Sequence, residues 1–161
     1  MRNGGVMGGR TGRLISINSS GGGVPKRPVL FAAVNSLGLE DDRHVDEDHG
    51  GPDRAICLYP IEHIKALRAE GHPIDTGTAG ENFTVEGLDW SLVVPGARLA
   101  VGAEVRLEVT SFTSPCKTIA ASFKDGLFKR ISEKVNPGWS RVYAKVTEEG
   151  TVESGCSIII E

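Results

Sequence analysis

Short segments of β type, separated by turns that contain glycine, follow one another along most of the chain, and this succession constrains the fold more than any other feature. Residues 105–109 alternate strictly between apolar and charged side chains, which predicts a strand with one face in solvent. Residues 140–146 alternate in the same way, with Val142, Ala144 and Val146 on one side. Many short strands with glycine turns, and no regular alternation of strand and helix, predict a mostly β protein, a β-barrel with a few short helical inserts.

Two longer helical segments are predicted between these strands. Pro60 suits the first position of a helix, and the apolar residues after it are spaced for one face until Gly71. A second amphipathic helix is predicted over residues 123–135, where apolar side chains fall on one side and mostly basic ones on the rest. The sequence Asn-Pro-Gly that follows is expected to end it.

Composition and charge limit the number of domains and the kinds of partner. Residues 1–12 are rich in glycine and are predicted to form a disordered extension, and residues 13–161 a single domain large enough to bury a core. The formal net charge of −3 gives no overall field that would attract nucleic acid or an anionic membrane surface. The longest apolar runs, such as residues 30–34, are too short to span a bilayer. We therefore expect neither nucleic acid nor a membrane as a partner, and any anion site must be local.

The cysteine pattern favours free thiols. Cys57, Cys116 and Cys156 form neither an even disulfide framework nor a C-x-x-C pair. No signal-peptide core lies near the N-terminus, so we expect a reducing, cytoplasmic setting. Ligand pairs with zinc-site spacing are also absent, and a structural zinc ion is not expected. Cys57 lies between Ile56 and Leu58 in a predicted buried strand and is interpreted as a core residue.

The segment Ser-Pro-Cys-Lys at residues 114–117 is the strongest candidate for chemistry. Ser114 can cap a helix, and Pro115 suits the first helical position. Cys116 would then lie in the first turn, where unpaired N–H groups, the helix dipole and neighbouring Lys117 favour a thiolate. A thiolate can attack an electrophile or bind a soft metal. The alternative is a small buried core residue, since free cysteine is often buried.

Two glycine-bordered loops are candidates for binding an anion. Glycines at residues 21–23 precede Lys26, whose ammonium could hold a phosphate, although the loop does not match the nucleotide P-loop pattern. In the second loop Gly50 and Gly51 separate His49 from Arg54, and two glycines permit backbone angles that expose N–H groups to an anion.

A mostly acidic stretch, residues 40–48, lies between these two loops. We interpret it as a solvated loop, because runs of charge are usually exposed. A divalent-metal site made by His44, Asp46, Asp48 and His49 is the alternative, although the spacing of these residues matches no recognised set of ligands.

Several of these segments, taken in order, resemble the MOSC family, the domain named for the C-terminal part of molybdenum cofactor sulfurase. The resemblance runs from about Leu14 to the end of the chain and is closest to the stand-alone bacterial members. Its carriers are Gly-Gly-Val-Pro-Lys at 22–26, His-Gly-Gly-Pro-Asp-Arg at 49–54, Gly-Glu-Asn at 80–82, Ser-Pro-Cys at 114–116 and the strand at 141–146. The chain departs from the family pattern at residues 40–43 and at Cys156, where members usually have glycine-aspartate and an acidic residue.

The resemblance implies a mostly β barrel that binds the molybdenum cofactor, molybdopterin with molybdenum, and no pyridoxal phosphate. Cys116 matches the cysteine that supplies the protein thiolate to the metal in related members, so it is both the metal ligand and the catalytic residue. The residues expected to line the cofactor or substrate are Lys26, His49, Gly50, Gly51, Arg54, Glu81, Asn82 and Arg141. Glu81 and Asn82 could instead only brace a tight turn.

The same resemblance implies a reaction class. Family members of this kind reduce N-hydroxylated compounds, including N-hydroxylated bases, and receive electrons from partner reductase proteins. The sequence has no flavin, haem or iron–sulfur motif of its own, which agrees with an external electron donor. Two alternatives remain open: a sulfur-transfer protein in which Cys116 carries a persulfide, and a non-enzymatic module that binds the molybdenum cofactor.

Overall fold

A computed structural model of the chain describes residues 9–42 and 51–161. These residues form strands, one α-helix and several short 3₁₀ helices, so the protein is mostly β as predicted. The strands are β1 (Thr11–Ser19), β2 (Arg27–Val29), β3 (Phe31–Asn35), β4 (Gly38–Leu39), β5 (Ile56–Pro60), β6 (Phe83–Glu86), β7 (Arg98–Val101), β8 (Val105–Thr113), β9 (Arg141–Glu148), β10 (Gly150–Glu153) and β11 (Ser157–Ile160). The α-helix, α1, is Ile61–Ala69.

Seven strands close into a barrel in the order β1-β11-β7-β8-β9-β5-β6, with β6 returning to β1. The pairing of β5 with β6 is parallel and the other pairings of the ring are antiparallel. The barrel closes where Thr11 of β1 pairs with Ile159 of β11. Further along β1, β2 takes over that edge, with Ile17 opposite Val29.

The barrel interior is filled by side chains, as expected for a barrel of this size. Alternate residues of each strand point inward, so Leu107 and Val109 of β8 join Val142 and Ala144 of β9 in one buried cluster. The strict alternation in residues 105–109 therefore corresponds to a strand with one buried face, as predicted. The neighbours of these inward residues lie on the outer face of the wall, where they are available to a site.

A second layer covers the outer face of β5. Ile64 and Leu67 of α1 pack with Tyr59 of β5 and with Ile131 from the connection between β8 and β9. Trp139 stacks on His63 of α1 at 4.3 Å between ring centroids. Beside the barrel, β10, β3 and β4 form a separate three-stranded sheet.

Two predictions about local structure are wrong. Residues 123–135 do not form a helix but two 3₁₀ turns, Lys124–Gly126 and Phe128–Ile131, because Asp125 and Gly126 take φ values of 56° and 69°. The end of the predicted disordered extension is also ordered: Gly9 N donates to Gly87 O, and β1 begins at Thr11. None of the helices in the described ranges is long and apolar enough to cross a membrane.

Candidate functional site

The candidate site lies on the outer face of the barrel wall, where β8 ends and β9 begins. Thr113, the last residue of β8, pairs with Arg141, the first residue of β9. The chain between them, residues 114–140, leaves the wall just before Cys116 and returns to it at Arg141. Register therefore brings the two ends of this long connection together, although they are far apart in sequence.

Cys116 occupies a different helical position from the predicted one. It is the N-cap of a 3₁₀ helix, Lys117–Ser122, with φ −140° and ψ 176°, so it precedes the helix rather than lying in its first turn. Ser114 and Pro115 are therefore not its cap and first residue. The Cys116 side chain is half-buried, and its Sγ lies 2.9 Å from Thr118 Oγ1. Partial exposure of this kind is what a metal ligand or a reactive thiol requires, and the Thr118 hydroxyl can hydrogen-bond to the sulfur.

Arg141 is buried at the edge of the site. Its side chain is 6% exposed, and Nη1 donates to Ala79 O at 2.7 Å. Its Nε is buried and has no hydrogen-bond partner among the described residues. An unsatisfied buried N–H is costly, and more so on a charged group. The guanidinium is therefore placed to bind an additional acceptor, most favourably an anion.

Cys57 is buried as predicted, but it faces the outside of the wall rather than the barrel interior. Its Sγ lies 3.9 Å from Thr113 Oγ1, and its strand partner is Tyr143 on β9. Burial raises the pKa of the Cys57 thiol, and the positive charge of Arg141 opposes that rise. Cys57 is thus a neutral thiol beneath the site.

Gly51 and Arg54 belong to a short helical segment that contacts β9. Gly51 has φ 95° and begins a one-turn 3₁₀ helix, Pro52–Arg54. The guanidinium carbon of Arg54 is 5.6 Å from the centroid of the Tyr143 ring. Burial raises the pKa of Tyr143 to about 12, with smaller influences from Cys57, Arg141, Arg54 and Cys116. These residues therefore share one electrostatic environment.

An open depression continues from Arg54 along β8. Its volume is about 470 Å³, and it is lined by Asp53, Arg54, Gly96 and residues 108–111. A register shift between Val109 and Ser111 lies within this stretch of β8. Such irregularities are common beside functional sites, where they redirect a side chain.

Lys26 is placed in a buried network of hydrogen bonds beside this wall. Its Nζ lies 2.8 Å from both carboxylate oxygens of Asp42, and the two side chains are 7% and 1% exposed. Asp42 also accepts from Ser20 N at 2.9 Å and from Asn82 Nδ2 at 2.9 Å. The interpretation of the acidic stretch as a solvated loop is therefore wrong for Asp42. Two of the three ammonium donors of Lys26 are already used.

Asn82 and Glu81 are turned into the protein. Asn82 Oδ1 accepts from Cys57 N at 2.9 Å, so this side chain connects β5 to the Lys26–Asp42 pair. Glu81 is fully buried, and Oε2 accepts from Gly77 N and Thr84 Oγ1, both at 2.9 Å. Burial raises the pKa of Glu81 to about 7. These contacts are those of the turn-bracing alternative.

A family model for the MOSC domain matches residues 45–159, which is most of the chain. The chain belongs to the MOSC domain family. The resemblance stated from the sequence and the barrel fold are both confirmed.

Three relatives of this MOSC protein show how far the similarity extends. The uncharacterized protein YflK of Bacillus subtilis is 32% identical over 139 residues, covering 84% of this chain and 62% of YflK. A protein of Gibberella moniliformis named Reductase is 31% identical over 136 residues, covering 81% of this chain and 23% of that protein. The crystal structure of YiiM from Geobacillus stearothermophilus has a TM-score of 0.72 and 28% identity, over 93% of this chain and 75% of YiiM. The chain thus spans less than two thirds of the two curated relatives.

The MOSC domain is associated in general with the molybdenum cofactor, and the wall has features that fit such a group. The Cys116 sulfur is the kind of soft ligand that molybdenum takes, and the unsatisfied Nε of Arg141 fits a phosphate or another anionic acceptor. Arg54, exposed beside Tyr143, offers a second guanidinium. No group of three His, Cys, Asp or Glu side chains that could hold a metal ion occurs within residues 9–42 and 51–161.

The structure brings some of the sequence-predicted site residues together and not others. Arg54 lies against the Tyr143 ring, Arg141 and Cys116 influence the pKa of Tyr143, and Gly51 precedes the short helix that carries Arg54. Lys26, Glu81 and Asn82 join the buried network instead. His49 and Gly50 lie outside the described residues, as does the alternative metal site at His44, Asp46, Asp48 and His49.

Sequence reasoning missed three residues, namely Thr113 and Tyr143 on the wall and Asp42 in the buried network beside it. The alternation in residues 140–146 placed Tyr143 on the face opposite Val142, which was the available signal for it. Asp42 carried no local signal, because its partners Lys26 and Asn82 are 16 and 40 positions away.

Proposed function

We propose that this chain binds the molybdenum cofactor on the outer wall at the β8–β9 junction and reduces N-hydroxylated compounds. The observation that carries the proposal is the buried guanidinium of Arg141, whose Nε lacks a partner among the described residues. Arg141 pairs with Thr113, the strand end from which the chain continues to Cys116. Membership of the MOSC family and the name of the Gibberella moniliformis relative, Reductase, support it.

Each residue has a distinct part in the proposal. Cys116 supplies a thiolate ligand, and Arg141 and Arg54 hold anionic groups of the cofactor through charge-assisted hydrogen bonds. Lys26 acts mainly through Asp42, because two of its donors are occupied by that carboxylate. The pair then fixes Asn82 and the backbone of Cys57 beneath the site.

The reaction class sets what must reach the site. A hydroxylamine R–NH–OH takes up two electrons and two protons and gives R–NH₂ and water. When bound, the cofactor supplies a metal that removes oxygen and exchanges electrons. The depression beside Arg54 offers a polar approach for a small substrate. The electrons come from a partner protein.

The test is to express the chain in a host that makes the molybdenum cofactor and to measure molybdenum and pterin in purified wild type and Cys116→Ala. We expect stoichiometric metal in wild type and loss of at least 90% of it in the variant, since one ligand bond is removed. Cys57→Ala and Cys156→Ala are the matched controls and should retain it. Loss of metal from folded Cys57→Ala with retention in Cys116→Ala would show that the ligand is the other thiol.

Two further measurements separate the alternatives. Reduction of an N-hydroxylated base by dithionite-reduced holoprotein supports the reductase, and its absence in a fully loaded protein supports a binding module. If neither protein contains molybdenum but wild type alone carries cyanide-labile sulfur, the reductase is contradicted and Cys116 is a persulfide carrier.

A further inference from the structure

The connection between β8 and β9 has a charge opposite to that of the rest of the chain. Within residues 114–140 there are five cations and two carboxylates, a net charge of +3, whereas the whole chain has −3 and the remainder therefore −6. Four of the cations, Lys117, Lys124, Lys129 and Lys134, are exposed and make no ion pair with any described residue. The fifth, Arg130, is bound by Glu70.

Apolar side chains are exposed among these lysines. Leu127 is 60% exposed and Val135 is 58% exposed, on the same connection. We call Lys117, Lys124, Leu127, Lys129, Lys134 and Val135 the connection face. Its 3₁₀ segments are fixed from beneath, because Ile119, Phe123 and Ile131 are buried against α1 and Tyr59. Leu127 and Val135 are therefore exposed on a segment whose inner side is packed against the protein.

The connection face begins and ends at the candidate site. Lys117 follows Cys116 directly, and the connection returns to the wall at Arg141, whose strand partner is Thr113. A protein that contacts Lys117 on this face would lie next to Cys116 in the chain. Charged surfaces raise association rates when the partner carries the opposite charge, and transient redox complexes bury small interfaces.

We propose that the connection face is the docking surface for an acidic electron-donor protein. This proposal rests on the proposed function, in which electrons come from a partner protein, and it adds the charge of that donor and the surface that the donor contacts. Exposed cations and exposed apolar side chains on one connection have the composition of an interface with an apolar centre and a charged rim. Nucleic acid is the less suitable partner, since the exposed apolar side chains of the connection face, Leu127 and Val135, are aliphatic rather than the aromatic rings on which bases stack.

Binding is the first test and does not depend on turnover. The probe is an oxidised flavodoxin, a small acidic flavoprotein, titrated by calorimetry into wild type and into the double variant Lys124→Glu/Lys129→Glu. Because a few charge pairs are lost, we expect the dissociation constant of the variant to be roughly tenfold higher than that of wild type. For wild type, we expect the dissociation constant to rise roughly fivefold between 50 and 300 mM salt, since salt screens these pairs. Arg10→Glu, exposed on the β1–β11 side across the barrel, should bind like wild type.

Electron transfer is the second test. Two hydroquinone flavodoxins each become semiquinones as one R–NH–OH becomes R–NH₂ and water with two protons. The double variant should lose at least tenfold in the flavodoxin-driven rate at low donor concentration and keep the rate driven by dithionite. Leu127→Ser should weaken flavodoxin binding without changing the salt dependence.

The outcomes separate the two proposals. Equal flavodoxin affinities for wild type and the double variant would overturn the docking surface even if dithionite supports turnover. Charge-dependent binding without turnover by any reductant would leave the surface standing and contradict the reductase. Tighter binding of single-stranded DNA than of flavodoxin, unaffected by Leu127→Ser, would also overturn the proposal in favour of a polyanion site.

Discussion

Single polar side chains fix the wall that carries the candidate site. Asn82 connects the backbone of Cys57 to Asp42, and Asn18 donates to Glu81 O and Thr84 Oγ1. Burying such a polar group without a hydrogen-bond partner costs about 1–3 kcal/mol, so these paired contacts stabilise the wall. The position of the site therefore depends on contacts between residues that are distant in sequence.

Glu81 should make the stability of the protein depend on pH. Burial raises its pKa from 4.5 to about 7, so between those values the folded state holds a proton that the unfolded state releases. Stability must then fall as pH rises through this interval. At about 1.4 kcal/mol per pH unit, the loss is about 3 kcal/mol. We expect Glu81→Gln to remove it, measured as the free energy of unfolding in urea from pH 4.5 to 8.

The difference between the two proteins is the informative quantity, because other titrating groups contribute equally to both. It should grow in favour of Glu81→Gln as pH rises and level off towards pH 8, about one unit above the folded-state pKa. Glu86→Gln makes the same change on an exposed side chain, which stays hydrated in both states, and should run parallel to wild type. Parallel curves for Glu81→Gln as well would contradict the prediction.

At the scale of elements, the turn at residues 77–82 holds the polar network against the wall. Gly77 has φ 78°, and a Cβ there would lie 2.1 Å from Lys26 O. We expect Gly77→Ala to be strongly destabilising, since it combines left-handed strain of about 1–2 kcal/mol with a clash against backbone that cannot move without disturbing the Lys26–Asp42 pair. Thermal or urea unfolding measures the loss.

Gly96→Ala is the matched control for this turn. Gly96 has φ 95°, and a Cβ there would meet nothing within 4 Å. It should therefore show the strain alone, about 1–2 kcal/mol. Gly77→Ala should exceed it by at least about 2 kcal/mol. Similar losses for both variants would mean that the close approach of Gly77 to Lys26 O is relieved without cost.

The sequence predicted strands better than helices for a physical reason. The period-two alternation of residues 105–109 has one structural solution in a wall with a buried face. The apolar spacing of residues 123–135 is compatible with two structures, an α-helix and successive 3₁₀ turns, because the turns also direct Phe123 and Ile131 into the second layer. Asp125 and Gly126, both at positive φ, decided between them. An Asp-Gly pair inside a helical pattern was the signal for a break.

The candidate site was predictable only in part. Family motifs selected Cys116 and Arg141, and the structure brings both to the same pair of strands. Side-chain direction was not predictable from motif position, and neither were the hydrogen-bond partners that Lys26, Glu81 and Asn82 have in the structure. Those partners depend on strand register and on contacts across 16 or more positions, which no local pattern encodes.

At the scale of the whole molecule, the chain has two apolar clusters that are covered by different kinds of secondary structure. The barrel cluster is enclosed by ladders of strand hydrogen bonds, and it contains Ile158 at 0% exposure. The second cluster is covered by α1 and by 3₁₀ turns, and it contains Ile131, also at 0% exposure. Hydrogen bonds of 3₁₀ type have poorer geometry and run over few residues. The second layer should therefore open before the barrel does.

Native-state hydrogen exchange can test this order with two matched substitutions. If the layer opens while the barrel stays closed, Ile131→Ala should reduce the protection of amides in both parts by the same amount, about 2–5 kcal/mol, because its contacts are lost in either opening. Ile158→Ala should reduce protection of barrel amides by a similar amount and leave layer amides such as Phe123 N and Arg130 N unchanged. Equal loss at all amides in both variants would mean that the molecule opens as one unit. In that case the connection that bears Cys116 would be as rigid as the barrel wall, and no local opening of it could regulate access to the thiol.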